Sequence, residues 1–207
     1  MRTCVYVDGF NLYYGALRNT AYKWLDVARL CGLLLPNHDI TRIAYFTARV
    51  SARVQDPGQP ARQAVYLRAL ATIPHLTIVE GSFITKNVRM RLARPPLGTD
   101  PYVTVVKSEE KGSDVNLASH LLRDAFQDRL DVAVLVSNDS DLVLPIRIVR
   151  EELSKTVGIL NPHRVPSHAL NRHRDFYKPI RRGVLRASQF PPSLVDAEGE
   201  ITKPATW

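Results

Sequence analysis

Acidic side chains occur at three points of the sequence where a strand or a helix is predicted to begin or end. Asp8 closes a β-branched and aromatic segment, Asp114 falls in the first turn of a predicted helix, and Asp139 with Asp141 follows an aliphatic segment. In open α/β sheets, ligands bind beyond the carboxyl ends of the strands, where the chain turns into the next helix. Carboxylate oxygens are the ligands that a hard divalent cation such as Mg²⁺ prefers. The pattern therefore predicts a cation site at this edge of a sheet.

Each acid also has an ordinary explanation when it is considered alone. An Asp-Gly pair such as Asp8-Gly9 is common in turns. Asp114 is favoured near a helix N-terminus by the helix dipole, and Asp139 or Asp141 is suited to cap the following helix. A single explanation accounts for all of these acids: they share one edge of the predicted sheet. This shared position favours the functional interpretation.

The elements that would position these acids alternate between strand and helix. We expect strands at 3–7, 40–50, 76–83, 102–107, 131–136 and 156–160, and helices at 26–35, 60–73, 112–126 and 141–153. This alternation predicts an α/β fold with an open, mostly parallel central sheet and helices on both faces.

Three further segments interrupt or follow this alternation. Residues 84–101 are basic, with Pro95-Pro96 and Gly98, and we expect a protruding loop or hairpin. Residues 167–187 look helical and basic, and the segment from Ser188 is expected to be extended or poorly ordered. We therefore predict a domain at 1–162, followed by a basic helical extension with a proline-containing tail at 163–207.

Composition limits the functions that the chain is expected to have. Its 207 residues are 45% hydrophobic, enough for one substantial core, and 28 Lys and Arg against 20 Asp and Glu give a net charge of +8. A basic surface suits a polyanionic partner, because each neutralised phosphate releases a counterion. Cys4 and Cys31 lie among apolar neighbours and are expected to be buried thiols in a reducing compartment. We expect a cytoplasmic protein without a signal peptide or a membrane span.

Three motifs resemble those of NYN domain proteins, the LabA-like branch of the PIN-like nuclease superfamily. The opening motif is Val5-Tyr-Val-Asp-Gly-Phe-Asn11, the central motif is Lys111-Gly-Ser-Asp114, and the last is Ser137-Asn-Asp-Ser-Asp141. They occur in the family's order and cover the chain from residue 3 to about residue 160. Each motif alone is weak, and their order and placement make the resemblance specific.

The resemblance implies a PIN-like three-layer sandwich and hydrolysis of RNA phosphodiester bonds with Mg²⁺ or Mn²⁺. Asp8, Asp114 and Asp139 match the family's metal-binding acids. Asn11 matches the polar residue beside the first acid, and Asp141 matches the second acid of the last motif. Both are assigned to the catalytic set, Asn11 for positioning a phosphate or a metal-bound water and Asp141 for accepting a proton or holding an outer-shell water. Two positions depart from the common pattern: His120 stands where many members carry another acid, and Asn138 replaces a frequent glycine.

Basic residues outside the motifs are expected to guide single-stranded or structured RNA to the site. The candidates are Lys86, Arg89, Arg91, Lys111, His120, Arg172, Arg174, Arg181 and Arg182. Tyr13, Tyr14, Phe176 and Tyr177 are candidates for stacking on bases. We expect no membrane partner; a homodimer is compatible with the sequence, which identifies no protein partner.

Two alternatives remain open at this stage. The first is a non-catalytic RNA-binding or scaffold module that keeps the fold, and the basic extension and His120 favour it. The second is a nuclease that acts on DNA, because the acidic residues do not distinguish the two nucleic acids. The presence of all three principal acids favours the metal-dependent ribonuclease, since a decayed site is expected to lose acids.

Overall fold

The computed structural model describes residues 1–52 and 54–207, and its centre is a parallel β-sheet. The strands are β1 Arg2–Asp8, β2 Asp39–Thr47, β3 Leu76–Glu80, β4 Ser82–Arg91, β5 Tyr102–Lys111, β6 Val132–Val136, β7 Thr156–Asn161, β8 Phe176–Pro179, β9 Ser193–Asp196 and β10 Gly199–Thr202. Six of them form the central sheet in the order β3-β2-β1-β6-β7-β8, and each neighbouring pair is parallel. This confirms the predicted α/β class and the parallel sheet.

Helices cover both faces of this sheet. They are α1 Gly9–Leu12, α2 Val27–Leu34, α3 Gln59–Ala71, α4 Ser113–Phe126, α5 Val143–Arg147, α6 His168–Asn171 and α7 Arg182–Ala187. Short turns extend two of them: a π-helical turn, Tyr13–Leu17, follows α1, and α5 lies between a 3₁₀ turn, Ser140–Leu142, and a π-helical turn, Ile148–Glu152. Within the described ranges, no helix is long and apolar enough to cross a membrane.

Alternating side chains of the central strands separate two hydrophobic cores. On β1, Val5 and Val7 pack with α2 and α3, whereas Cys4 and Tyr6 face the core beneath α4 and α5. Both strand faces are therefore apolar, as expected for a parallel strand that is covered on both sides. Cys4 and the second cysteine, Cys31, are buried free thiols, as predicted.

The segment predicted as a loop or hairpin is a long antiparallel hairpin. β4 pairs with β5 from Ser82 opposite Lys111 to Arg91 opposite Tyr102. Most of its side chains are exposed, so the hairpin protrudes from the body. The strand expected at 76–83 ends at Glu80, and Gly81 separates it from β4.

The C-terminal segment differs from its prediction. Residues 167–187 are not one helix: β8 lies between the short helices α6 and α7 and pairs with β7 as the edge strand of the sheet. This strand comes from beyond residue 162, the boundary expected for the domain; the division of the chain at that point stays a prediction. The tail is ordered as well, because β9 and β10 form a hairpin that places Ile201 in the core.

A buried carboxylate joins the sheet to α4. Asp124 is fully buried and accepts hydrogen bonds from the Tyr6 hydroxyl at 3.0 Å and from the Arg123 guanidinium at 3.0 Å. Arg42 and Arg129 also pair with it. These partners compensate the cost of removing the charge from water.

Substitution Asp124→Ala is expected to destabilise the protein by about 3–5 kcal/mol, because it leaves buried cationic and hydroxyl groups without their acceptor. Urea unfolding followed by circular dichroism measures the change. Glu80→Ala is the matched control: its carboxylate pairs with Arg49 at the surface, and its loss should cost less than about 1 kcal/mol. Equal stabilities of the two variants would contradict a structural role for Asp124.

Candidate active site

Asp8 ends the central strand β1 and caps the helix that follows. Its Oδ1 accepts a hydrogen bond from the backbone N–H of Asn11 at 2.8 Å, and its Oδ2 accepts one from the Ser137 hydroxyl at 3.1 Å. The chain turns sharply here because Gly9 packs against β2: a Cβ at this position would lie 2.7 Å from the carbonyl oxygen of Phe46. A glycine at this position therefore allows the first acid to sit directly on the sheet edge.

The loop after β6 places the second acid beside the first. The backbone N–H of Asp139 donates to the Ser137 hydroxyl at 3.1 Å, so Ser137 joins the two acids. The Asn11 side chain accepts a hydrogen bond from the backbone N–H of Asn138 at 2.9 Å. The Asp139 carboxylate in turn accepts from the backbone N–H of Asp141 at 3.0 Å. These bonds hold the first and last motifs together.

The central motif brings a third acid from α4. Gly112 adopts a positive φ of 99°, and this conformation connects β5 to the start of α4. The backbone N–H of Ser113 donates to the Glu110 carboxylate at 3.0 Å, and Asp114 lies in the first turn of the helix. Glu110 is therefore a fourth acid at this end of the site.

A cavity of about 770 Å³ connects these residues. One end is acidic and is lined by Asp8, Asp114, Asp139 and Glu110, together with Asn11. The aromatic end of the lining consists of Tyr66 and Trp207, and Tyr45 lies between Tyr66 and Gly9. Lys23 and Arg62 also line the cavity, and Arg62 pairs with Asp56. The arrangement suits a ligand that carries both a phosphate, or another group that binds cations, and a flat ring.

The acids in this cavity perturb one another. Burial, with added repulsion from Asp114 and Asp139, raises the pKa of Asp8 to about 6, even though its two hydrogen bonds lower it. Partial desolvation is also the main reason why the pKa of Asp114 is raised, and the charges of Asp139, Glu110 and Asp141 raise it further. A cation among these side chains would relieve the repulsion.

The acidic side chains of the cavity have the donor chemistry that a divalent cation requires. In the part of the chain that the structure describes, no three acidic, histidine or cysteine side chains form a group ready to hold a metal ion. The chemistry of the donors nevertheless fits: Asp8, Asp114 and Asp139 offer carboxylate oxygens to one cavity and repel one another across it.

The other residues predicted from the sequence have different surroundings. Asp141 is exposed and contacts Asp139 through its backbone, outside the lining of the cavity. His120 lies on α4, edge-on to the Phe46 ring at 5.5 Å and 3.3 Å from a nitrogen of Arg42, also away from the cavity. Lys111 is exposed and lies 3.8 Å from Glu109.

The predicted basic residues form two separate groups. Lys86, Arg89 and Arg91 lie on the protruding hairpin. Arg172, Arg174, Arg181 and Arg182 lie around α6, β8 and α7, and Arg174 covers the Tyr177 ring at 4.5 Å. Neither group contributes to the lining of the cavity.

Sequence reasoning missed several residues that line the site or position it. Ser137, which lies within the last motif, bonds to Asp8, and its place in that motif was the available signal. Glu110 precedes the central motif directly, and Tyr45 comes two residues before the carboxyl end of β2. Tyr66 and Trp207 gave no local signal, because only long-range packing brings them to the cavity.

Comparison with known proteins shows the family and the fold of this chain. The family model for the NYN domain matches residues 2–179. A structure of a protein of unknown function from Vibrio parahaemolyticus superposes with a TM-score of 0.54 and 18% identity, covering 87% of this chain and 93% of that one. That likeness concerns the fold, which is PIN-like.

A curated relative is 6-hydroxy-3-succinoylpyridine 3-monooxygenase HspA of Pseudomonas putida. The two sequences are 30% identical over an alignment of 240 residues, which covers 100% of this chain and 75% of the relative. The motifs, the parallel sheet with its acidic edge and the match over residues 2–179 lead to one conclusion: this chain belongs to the NYN domain family.

Proposed function

We propose that this protein is a metal-dependent ribonuclease that hydrolyses RNA phosphodiester bonds at the acidic end of the cavity. The observation that supports this most strongly is the convergence of Asp8, Asp114 and Asp139, from three separate motifs, on one cavity at the carboxyl edge of the sheet. The nuclease-type fold of the NYN family supports the same reaction. The buried free thiols are consistent with the cytoplasmic location that we propose with it.

Asp8, Asp114 and Asp139 would hold the divalent cation, Mg²⁺ or Mn²⁺. When bound, the cation supplies positive charge that stabilises the phosphodiester oxygens as they become more negative. Ser137 and the Asn11 backbone hold the Asp8 carboxylate in place. The Asn11 side-chain oxygen is occupied by Asn138, so its amide N–H groups are left to donate to a substrate phosphate. The role of Asp141 as a proton acceptor stays a prediction.

The hairpin extends the cavity along one of its two faces. Phe83, Ser108 and Glu110 line the cavity at the base of the hairpin, and the Thr85 and Ser108 hydroxyls are 3.0 Å apart on the same face. Alternation along the strand places Arg89 and Arg91 on this face as well.

Aromatic and cationic groups end this face at the tip of the hairpin. The Arg89 guanidinium lies 4.8 Å from the centre of the Tyr102 ring and pairs with the Asp100 carboxylate at 2.8 Å. Arg91 lies opposite Tyr102 in the strand register. Lys86 and its cross-strand partner Lys107 lie on the opposite face. The first face therefore offers cations and a stacking ring to a strand of RNA that leaves the cavity.

A second candidate function is oxidation of a small heteroaromatic acid. The relative from Pseudomonas putida is named as a 3-monooxygenase of 6-hydroxy-3-succinoylpyridine, and the aromatic end of the cavity would accept a pyridine ring. The chemistry requires oxygen and a two-electron reductant. Incubation with that substrate, oxygen and NADH tests it: hydroxylated product that forms without RNA cleavage would favour the monooxygenase over the nuclease.

Labelled single-stranded and structured RNA is expected to be cleaved with Mg²⁺ or Mn²⁺ and not with chelator. Asp139→Asn should lower the cleavage rate at least about 100-fold, because it removes a charged ligand of the cation while RNA binding persists. Parallel reactions on gels measure the rates, with single-stranded DNA as a second substrate. Equal cutting by wild type and variant would contradict the proposed site. Salt-sensitive RNA binding without cutting by either protein would support the non-catalytic module instead.

Substitution Asp8→Asn is expected to stabilise the metal-free protein by on the order of 1 kcal/mol, because a buried charge facing two other carboxylates is removed. Asparagine keeps the helix cap, so the local fold is retained. Urea unfolding in chelator measures this gain. In millimolar Mn²⁺ the wild type should have the larger free energy of unfolding, since the cation stabilises the wild type more than the variant. A stabilisation by Mn²⁺ that is equal in both proteins would place the cation elsewhere.

The double substitution Arg89→Ala/Arg91→Ala is expected to weaken binding of single-stranded RNA about tenfold. It should also lower the slope of log affinity against log salt concentration by roughly the value of one phosphate contact or more. The double substitution Lys86→Ala/Lys107→Ala removes the same charge from the other face and should change affinity less than about twofold. Fluorescence anisotropy over a salt series compares them. Equal losses would show that net charge, and not this face of the hairpin, guides RNA.

A further inference from the structure

Residues 180–207 lie outside the segment that the family model matches, yet they pack closely on the domain. Arg68 of α3 bonds to the Asp196 carboxylate at 2.7 Å and to the carbonyl oxygen of Gly199 at 3.1 Å. The Trp24 indole N–H donates to the carbonyl oxygen of Pro191 at 2.7 Å, and Ile201 is buried in the core. The tail is thus fixed on the same side of the sheet as α3.

This anchoring brings an aromatic side chain to the wall of the cavity. The Trp207 ring lies 5.7 Å from the Tyr66 ring and 6.4 Å from the Trp24 ring, and both contacts are edge-on. Tyr66 in turn lies 6.4 Å from Tyr45. Tyr66 and Trp207 both line the cavity, so aromatic surface contributed by the tail meets aromatic surface contributed by the domain.

Tyr45 connects this aromatic wall to the acidic end. A Cβ added at Gly9 would lie 2.9 Å from Cζ of Tyr45, the ring carbon that bears the hydroxyl. The Tyr45 hydroxyl therefore lies beside Gly9, the residue that follows Asp8. Tyr45 is only 5% exposed and lines the cavity. The Tyr66 hydroxyl donates to the carbonyl oxygen of Leu25 at 2.9 Å. Tyr45 lines the cavity, so its hydroxyl can donate to a ligand there.

We infer that the tail converts the acidic cleft into a chamber for a planar heteroaromatic ring, with Trp207 and Tyr66 as its walls and Tyr45 as a hydrogen-bond donor. The volume of about 770 Å³ is within the usual range for small-molecule sites. The inference rests on the proposed function, in which the ring is a nucleobase next to the scissile phosphodiester; a free heteroaromatic acid offers the same chemistry. Trp207 is then a specificity-determining residue that lies outside the family's matched segment.

Calorimetric titration of the full chain with Mg²⁺ separates this inference from catalysis, because the ligands contain no phosphodiester bond and none of them can be cleaved. The ligands are adenosine 5′-monophosphate, ribose 5-phosphate as the same phosphate without a base, and pyridine-3-carboxylate as a free ring. The wild type should bind the nucleotide at least about tenfold more tightly than ribose 5-phosphate. Preferential binding of pyridine-3-carboxylate would support the chamber with a small molecule as the source of the ring.

Three variants localise the binding. Trp207→Ala should remove most of the preference for the base, and Tyr45→Phe, which keeps the ring and loses only the hydroxyl, should weaken binding severalfold. Phe126→Ala removes an exposed aromatic ring on α4, away from the cavity, and should leave binding unchanged. The inference is overturned if the wild type binds the nucleotide and ribose 5-phosphate equally. It is also overturned if the wild type and both cavity variants bind the nucleotide equally. RNA cleavage assayed on the same protein reports separately on the proposed function.

Discussion

A buried carboxylate at the end of the central strand is the constraint around which the rest of the site is arranged. Asp8 lies between β2 and β6, where neighbouring strands exclude water, and it faces other acids across the cavity. Such a charge is costly unless hydrogen bonds or a cation compensate it. Ser137 and the N-terminus of α1 supply part of that compensation. The remaining repulsion between the acids favours a divalent cation. In the proposed nuclease, this uncompensated negative charge would bind the catalytic cation.

The two additions to the sheet extend this site in different directions. The β4–β5 hairpin carries Arg89 and Arg91 outward on a face that begins at the cavity, so it offers contacts along an extended polyanion. The tail adds Trp207 to the aromatic lining of the cavity, beside Tyr66. In the proposed nuclease, the acidic end would bind the scissile phosphate, the aromatic end would bind a base, and the hairpin would bind the neighbouring phosphates.

Sequence reasoning predicted the parts of this protein whose signals are local. β1 and β6 are apolar on both faces, and the motifs ending at Asp8 and around Asp139 follow them directly, so both strands and acids were recognisable. β8 was missed because its four residues, Phe176–Pro179, have no strand pattern of their own and depend on pairing with β7. The position of Trp207 depends on Trp24 and Tyr66, far away in the sequence. Whether His120 or Asp141 contributes to a site is equally a question of three-dimensional placement.

The most direct test of the cation site is a crystal structure of the protein grown with Mn²⁺, with diffraction collected at a wavelength where manganese scatters anomalously. We expect a strong anomalous peak at the carboxyl edge of the sheet, with oxygens of Asp8, Asp114 and Asp139 as its ligands. No peak in this cavity at saturating Mn²⁺, or a peak held by other residues, would contradict the assignment of these three acids as a cation site.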